Sequence, residues 1–224
     1  MASEKYLLST KGKRENEMQP PRWLEWAREI QALAQTGMHY ATEGDYHGQR
    51  YQRLMEIAAE MVHEHSGIPT SPLVAAFRAE PGYATPKVDV RAAVFQDGRL
   101  LMVRERCDGG WTLPGGWADV GDVPSEAAER ETWEEAGFRV RARKLIGVYD
   151  GNRVDPLQFN HCFKLVFLCD LIDGTPTPSR ETSEVAFFAM EDIPAHLSGQ
   201  RTLPRHILDA FESRAQPERP TVFD

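Results

Sequence analysis

Apolar positions along this chain change their period part-way. From Pro20-Pro21 onward, Trp23, Trp26, Ala27, Ile30, Leu33 and Ala34 recur three and four residues apart, the spacing of one helix face. Proline suits the first turn, where its missing N–H would have had no partner, and Gly37 marks the expected stop. The polar stretch Ala41 to Gln49 leads into a second pattern of Tyr51, Leu54, Met55, Ala58, Met61 and Val62, closing near Gly67. Ser71 to Phe77 predicts a short third helix. Helices this short do not bury two tryptophans among themselves, so their apolar faces require the rest of the chain or a second copy of it.

After a Pro/Gly-punctuated linker the pattern becomes that of strands. Val88 to Phe95, a turn at Asp97-Gly98 and Leu100 to Val103 predict a hairpin, because Asp-Gly supplies the positive φ angles of a tight reversal. A loop and then a helix over Pro124 to Ala136 follow. Further strands are expected over Val140–Tyr149, His161–Leu171 and Val185–Phe188, with a closing helix from about Leu203 to Ser213. Strands mixed with a helix between them predict an α/β sandwich. The expected organisation is a polar tail over 1–19, a helical domain over 20–79, a linker over 80–86 and an α/β domain over 87–224.

Composition narrows the function classes. The 224 residues are 41% hydrophobic and carry a net charge of −8, which disfavours a protein held mainly on a nucleic-acid backbone. The helical segment from Pro20 to Glu80 has five basic residues against eight acidic ones, so it does not read as a DNA-binding module. No apolar run approaches the roughly 20 residues that span a bilayer, and the opening MASEKYLLSTKGKRENEM lacks the apolar core of a signal peptide. A cytoplasmic location is expected, without membrane or DNA partners. The three cysteines form no CxxC pair, and Cys162 and Cys169, seven apart in one apolar run, face opposite sides of a strand; free thiols are expected.

The chemistry concentrates in WTLPGGWADVGDVPSEAAERETWEEAGF, Trp111 to Phe138. On a helix, Glu131, Glu134 and Glu135 fan over about 100° of arc within about 6 Å of axis. Two carboxylates 6 Å apart repel by about 3 kcal/mol at an effective dielectric of about 20, and a divalent cation reverses that penalty. An isolated acidic helix face is ordinarily just solvated, and Glu126 four residues before Arg130 is an ordinary helix pair. The surrounding order of residues is not ordinary. Gly116, Asp122, Arg130, Glu131, Glu134, Glu135, Gly137 and Phe138 fall at the spacings of the Nudix box, G-x5-E-x7-R-E-U-x-E-E-x-G-U, and Leu113-Pro114-Gly115-Gly116 resembles its lead-in. Two positions depart: Asp122 stands where the family has Glu, and Thr132 where it prefers an aliphatic residue.

The resemblance to Nudix hydrolases implies an α/β/α sandwich with a mixed sheet. It also implies hydrolysis of a nucleoside diphosphate linked to a group X, giving a nucleoside monophosphate and phospho-X. Glu134 and Glu135 would hold Mg2+ (or Mn2+) with a backbone carbonyl of Gly115 or Gly116. Glu131 would be a further ligand or the base acting on water, and Arg130 would orient it. Family members often add a later acidic ligand, for which Glu181 and Glu184 are candidates and Glu184, directly before the apolar strand, is preferred. Arg91, Arg104 and Arg106 are the nearest cations for the diphosphate, though Arg91 in VDVRAAVF could simply be a strand residue on the solvated face. Trp111 could stack on a base or pack beside the loop.

PRWLEWAREIQALAQTGMHYATEGDY, KVDVRAAVF and ETSEVAFFAMEDIP extend the resemblance to a Nudix group that includes CDP-choline pyrophosphatases. That group implies a homodimer through the N-terminal helices and a small-molecule nucleotide substrate, CDP-choline or another NDP-alcohol first. ADP-ribose is the enzymatic alternative; the proline that accompanies many ADP-ribose hydrolases is replaced here by Arg153, with Pro156 three residues later. RNA-end processing and a non-catalytic nucleotide sensor are the remaining alternatives.

Overall fold

In a computed structural model that describes residues 21–41, 46–79, 82–151, 161–199 and 201–224, the first segment forms three helices, α1 (Arg22–Tyr40), α2 (Tyr46–Ser66) and α3 (Thr70–Ala79). The helix α1 does not stop at Gly37. A Cβ there would lie 2.4 Å from the ring of Tyr51, so the glycine serves close approach of α2 rather than termination. The helix α2 also starts earlier than its apolar pattern, within the stretch expected to be a polar connection. Ala27, Ala34, Met55, Ala58, Val62, Leu73 and Phe77 form the core of this helical unit. Trp23 stacks on His65 at 4.6 Å between ring centroids. Trp26, Leu33 and Tyr40, seven apart on α1, stay 48%, 63% and 69% exposed.

The second unit is built on an eight-stranded mixed sheet. Its strands are β1 (Lys87–Gln96), β2 (Arg99–Glu105), β3 (Trp111–Thr112), β4 (Gly115–Trp117), β5 (Phe138–Asp150), β6 (Cys162–Gly174), β7 (Thr182–Phe188) and β8 (Val222–Phe223). The β1–β2 hairpin turns on Asp97 and Gly98, with φ of 49° and 83°, the two positive angles that a two-residue reversal demands. The main order is β3-β2-β1-β6-β5-β8, with β4 added to β1 and β7 to β2; β1–β6 and β5–β8 run parallel.

Two helices cover the faces. Along β1, Val90, Ala92 and Val94 join Ala127, Ala128 and Ala136 of α4 (Pro124–Ala136) in one core. Ala93, with Leu100 and Met102 of β2, joins Ile207 and Ala210 of α5 (Pro204–Ala215) in the other. The period-two alternation of β1 therefore separates two apolar layers, and the unit is an α/β/α sandwich.

The strands β3, β4 and β8 were absent from the sequence expectation because two or three residues show no alternation. Cys162 and Cys169 are buried, Cys107 is exposed, and none of the three is in a disulfide among the described residues. Among the described residues, no helix is long and apolar enough to cross a membrane. The polar tail over 1–19 and the Arg153/Pro156 positions lie outside the described residues.

Candidate active site

Glycines bring the loop and the acidic helix together. Gly115 has φ 144°, and a Cβ on it would fall 2.0 Å from the carbonyl oxygen of Val90, so only glycine fits where β4 lies against β1. A Cβ on Gly116 would stand 3.3 Å from the Glu131 carboxyl carbon, which puts this backbone against the acidic face. The helix α4 begins with proline in its first turn and ends at Gly137, whose φ of 75° forms a left-handed cap with its N–H donating to the Trp133 carbonyl.

The carboxylates divide into two environments. Glu135 is buried, and its Oε2 accepts a hydrogen bond from the Gly115 N–H at 2.9 Å. Burial pushes its carboxyl up to about 7, against the opposing pull of Arg91 and of the Gly115 N–H. Glu131 is also raised by burial, although Arg130 pulls the other way. Arg130 is the cation that the acidic face shares. Its Nη1 donates to Glu131 at 2.8 Å and to Glu134 at 3.3 Å, and its Nη2 to Asp122 at 3.1 Å.

Asp122 thus reaches Arg130 despite being one methylene shorter than the glutamate of the box. The Asp119 N–H and the Arg130 contact hold its carboxyl below the usual range. Thr132 is fully buried, and its hydroxyl donates to the Ala128 carbonyl at 2.7 Å, so the polar departure is satisfied inside the helix.

Residues 85–211 match the NUDIX domain. The chain belongs to the Nudix hydrolase family. Residues 21–77 match a UDP-X-like, N-terminal oligomerisation domain. The chain is similar to a putative ADP-ribose pyrophosphatase, YjhB, of Bacillus subtilis, with 35% identity over 91% of this chain and 97% of that protein. It is also similar to the crystal structure of a UDP-X diphosphatase, with 30% identity, a TM-score of 0.58, and coverage of 92% of this chain and 100% of that one. An ADP-ribose pyrophosphatase structure from Streptococcus suis has 34% identity and a TM-score of 0.57 over 62% of this chain and 100% of that one.

Nudix hydrolases generally use divalent cations, and the Nudix loop and helix here fit one. Their donors are hard carboxylate oxygens beside a glycine backbone, and among the described residues the buried Glu135 carboxyl has a neutral N–H as its direct hydrogen-bond partner. Among the described residues, no three His, Cys, Asp or Glu side chains stand gathered around a metal position, and Arg130 pairs with both Glu131 and Glu134.

Several other candidates sit elsewhere than expected. Arg104 and Glu184, assigned to diphosphate and cation, pair with each other at 2.6 Å across β2 and β7. The other acidic candidate, Glu181, lies beside Thr182, whose hydroxyl donates to the Glu135 carbonyl at 2.8 Å. The Glu181 segment is therefore the one tied to the Nudix helix. Arg106 is exposed and its Nη2 donates to the Ser179 carbonyl at 3.4 Å. Trp111 packs edge-on against Phe188 at 4.8 Å, on the rim of the core, as the packing alternative expected.

Arg91 is not on a solvated face. It is 2% exposed, with its fork on Asp89 at 2.9 and 2.8 Å and its remaining nitrogen on the Leu113 carbonyl at 3.1 Å. Its donors are engaged within the fold, on Asp89 and beneath the loop.

Sequence reasoning missed Glu105, a buried carboxylate paired with Arg201 at 3.1 Å. Burial raises it, Arg201 and Arg91 oppose that, and it acts in turn on Glu135. It ends the run LLMVRE, where alternation sets it on the face of the buried Leu101 and Val103, but a glutamate there gives no hint of Arg201, its partner 96 residues on.

Proposed function

We propose that this Nudix hydrolase uses Mg2+ or Mn2+ to cleave the pyrophosphate bond of a nucleoside diphosphate joined to a second group. The products are a nucleoside monophosphate and phospho-X. A bound cation supplies charge neutralisation at the bridging and leaving oxygens. Glu134 and Glu135 would hold it with a backbone carbonyl of Gly115 or Gly116. Glu131 adds a ligand or takes the proton of the attacking water, and Arg130 orients Glu131 through the 2.8 Å contact.

CDP-choline or a similar NDP-alcohol is the first substrate. The observation that supports this reading is similarity over both the helical segment and the Nudix domain to a UDP-X diphosphatase, 92% of the chain in all. ADP-ribose is the second reading, favoured by the name of the relative in Bacillus subtilis. A comparison of kcat/KM for CDP-choline and ADP-ribose decides between them: the first reading expects the higher value for CDP-choline, and the reverse order replaces it.

The helical domain over 20–79 joins two copies of the chain. Support comes from the oligomerisation-domain match and from the exposed Trp26, Leu33 and Tyr40 stripe on α1. The linker over 80–86 then leads to the hydrolase domain over 87–224.

A further inference from the structure

Beneath the candidate site lies a buried charge cluster to which the proposed reaction gives no direct role. Asp89, Arg91 and Lys164 are 4%, 2% and 1% exposed. Alternation along β1 puts Asp89 and Arg91 on one face, and the parallel register sets Lys164 of β6 opposite Asp89. The Asp89 carboxylate accepts from Arg91 Nε at 2.9 Å and Nη2 at 2.8 Å, and Lys164 Nζ stands 3.3 Å away. Such a cluster is a weak source of stability, because desolvating its charges offsets much of their attraction. What it does provide is direction: a guanidinium gripped on two nitrogens has a fixed plane.

The third nitrogen of that plane meets the loop. Arg91 Nη1 donates to the Leu113 carbonyl at 3.1 Å and lies 3.4 Å from Thr112 Oγ1. The Leu113 N–H is held as well, by Thr202 Oγ1 at 3.0 Å. Next along the chain, the Pro114 carbonyl accepts from Ala92 N–H at 2.9 Å, and the Gly115 N–H donates to Glu135 at 2.9 Å. A continuous set of contacts thus runs from Lys164 through Asp89, Arg91 and the loop to the Nudix helix.

We propose that Arg91 is a positioning residue, fixed by Asp89 and Lys164, which sets the Leu113–Gly116 loop so that the Gly115 amide captures Glu135. The proposal rests on the reading of this loop and helix as the cation site. Lysine at position 91 keeps the charge but offers one ammonium, which does not both match the carboxylate fork and reach Leu113.

The test uses the full chain, Mn2+ as the probe, and amide hydrogen exchange. The relevant Mn2+ site is the one that Glu135→Gln removes. Arg91→Lys is expected to weaken Mn2+ binding there roughly ten- to hundredfold, the usual effect of removing a partner behind a metal ligand. It should also speed exchange over residues 113–117 while the helices α1 to α3 keep wild-type protection. Asp89→Asn, which loosens the fork without removing it, should act in the same direction and decides the matter if Arg91→Lys does not fold. Unchanged Mn2+ affinity in the folded variant overturns the proposal, even if exchange rises generally, since that is what a merely structural role gives. A wild-type chain that binds Mn2+ but cleaves no nucleotide counts against the proposed reaction and leaves the Arg91 comparison intact.

Discussion

At the scale of single residues the proposed site turns on Glu135: it is buried, accepts a hydrogen bond from the Gly115 N–H, and is pushed up to about 7 by desolvation. Replacing it with glutamine keeps an oxygen for the Gly115 amide and removes the charge. The expected outcome is loss of metal-dependent turnover by roughly a hundredfold or more, with circular dichroism and melting behaviour near wild type. Unchanged turnover would remove Glu135 from the site. A second residue sets a pH dependence of stability. His206 is fully buried, its Nδ1 accepts from the Leu203 N–H, and burial lowers it to about 3 from an ordinary 6.5. The fold therefore keeps the imidazole neutral where the unfolded chain takes up a proton. Its contribution is complete above about pH 6.5 and is lost as pH falls toward 3. The melting temperature of wild type relative to His206→Gln should drop between pH 7.5 and pH 5; a constant difference contradicts the assignment.

The acidic face was legible because Arg130, Glu131, Glu134 and Glu135 are neighbours on one helix, and helical spacing alone gathers them. The Arg104–Glu184 pair was not, because it joins residues 80 apart in sequence through the β2–β7 register. The burial of Arg91 was hidden for a related reason. An arginine in an apolar run resembles a solvated strand position until the parallel β6 brings Lys164 beside Asp89 and closes the cluster.

At the scale of elements, long periodic segments reveal themselves and close approaches do not. The helix α4 was expected over Pro124 to Ala136 and forms over those residues, since proline and glycine punctuate both ends. Gly37 looked like a stop signal and proved to be a contact with Tyr51, a distinction that lies in α2 and not in the local sequence. Gly137 does end its helix. Its φ of 75° disfavours any side chain by about 1–2 kcal/mol, and a Cβ there would also meet Thr177 at 2.6 Å. Gly137→Ala should therefore destabilise the hydrolase unit by more than the backbone cost alone, read as a lower midpoint in urea. A midpoint equal to wild type would mean that the cap and the Thr175–Thr177 segment readily shift.

At the scale of the molecule, the helical unit has its own small core and leaves a stripe of Trp26, Leu33 and Tyr40 in solvent. Light scattering on the full chain should give the mass of a dimer, and on a truncated chain beginning at Tyr83 that of a monomer. Two monomers would refute the dimer, and two dimers would move its interface to the hydrolase unit. The central claim concerns the bond that is broken. Its most direct measurement is magnesium-dependent turnover of CDP-choline, ADP-ribose, NADH and dinucleoside polyphosphates in heavy-oxygen water, with the products identified by mass. The account predicts a nucleoside monophosphate and a phosphorylated partner, one of them carrying a single heavy oxygen. Tight nucleotide binding without turnover of any of the four would contradict it and would leave a nucleotide sensor in place of a hydrolase of these substrates.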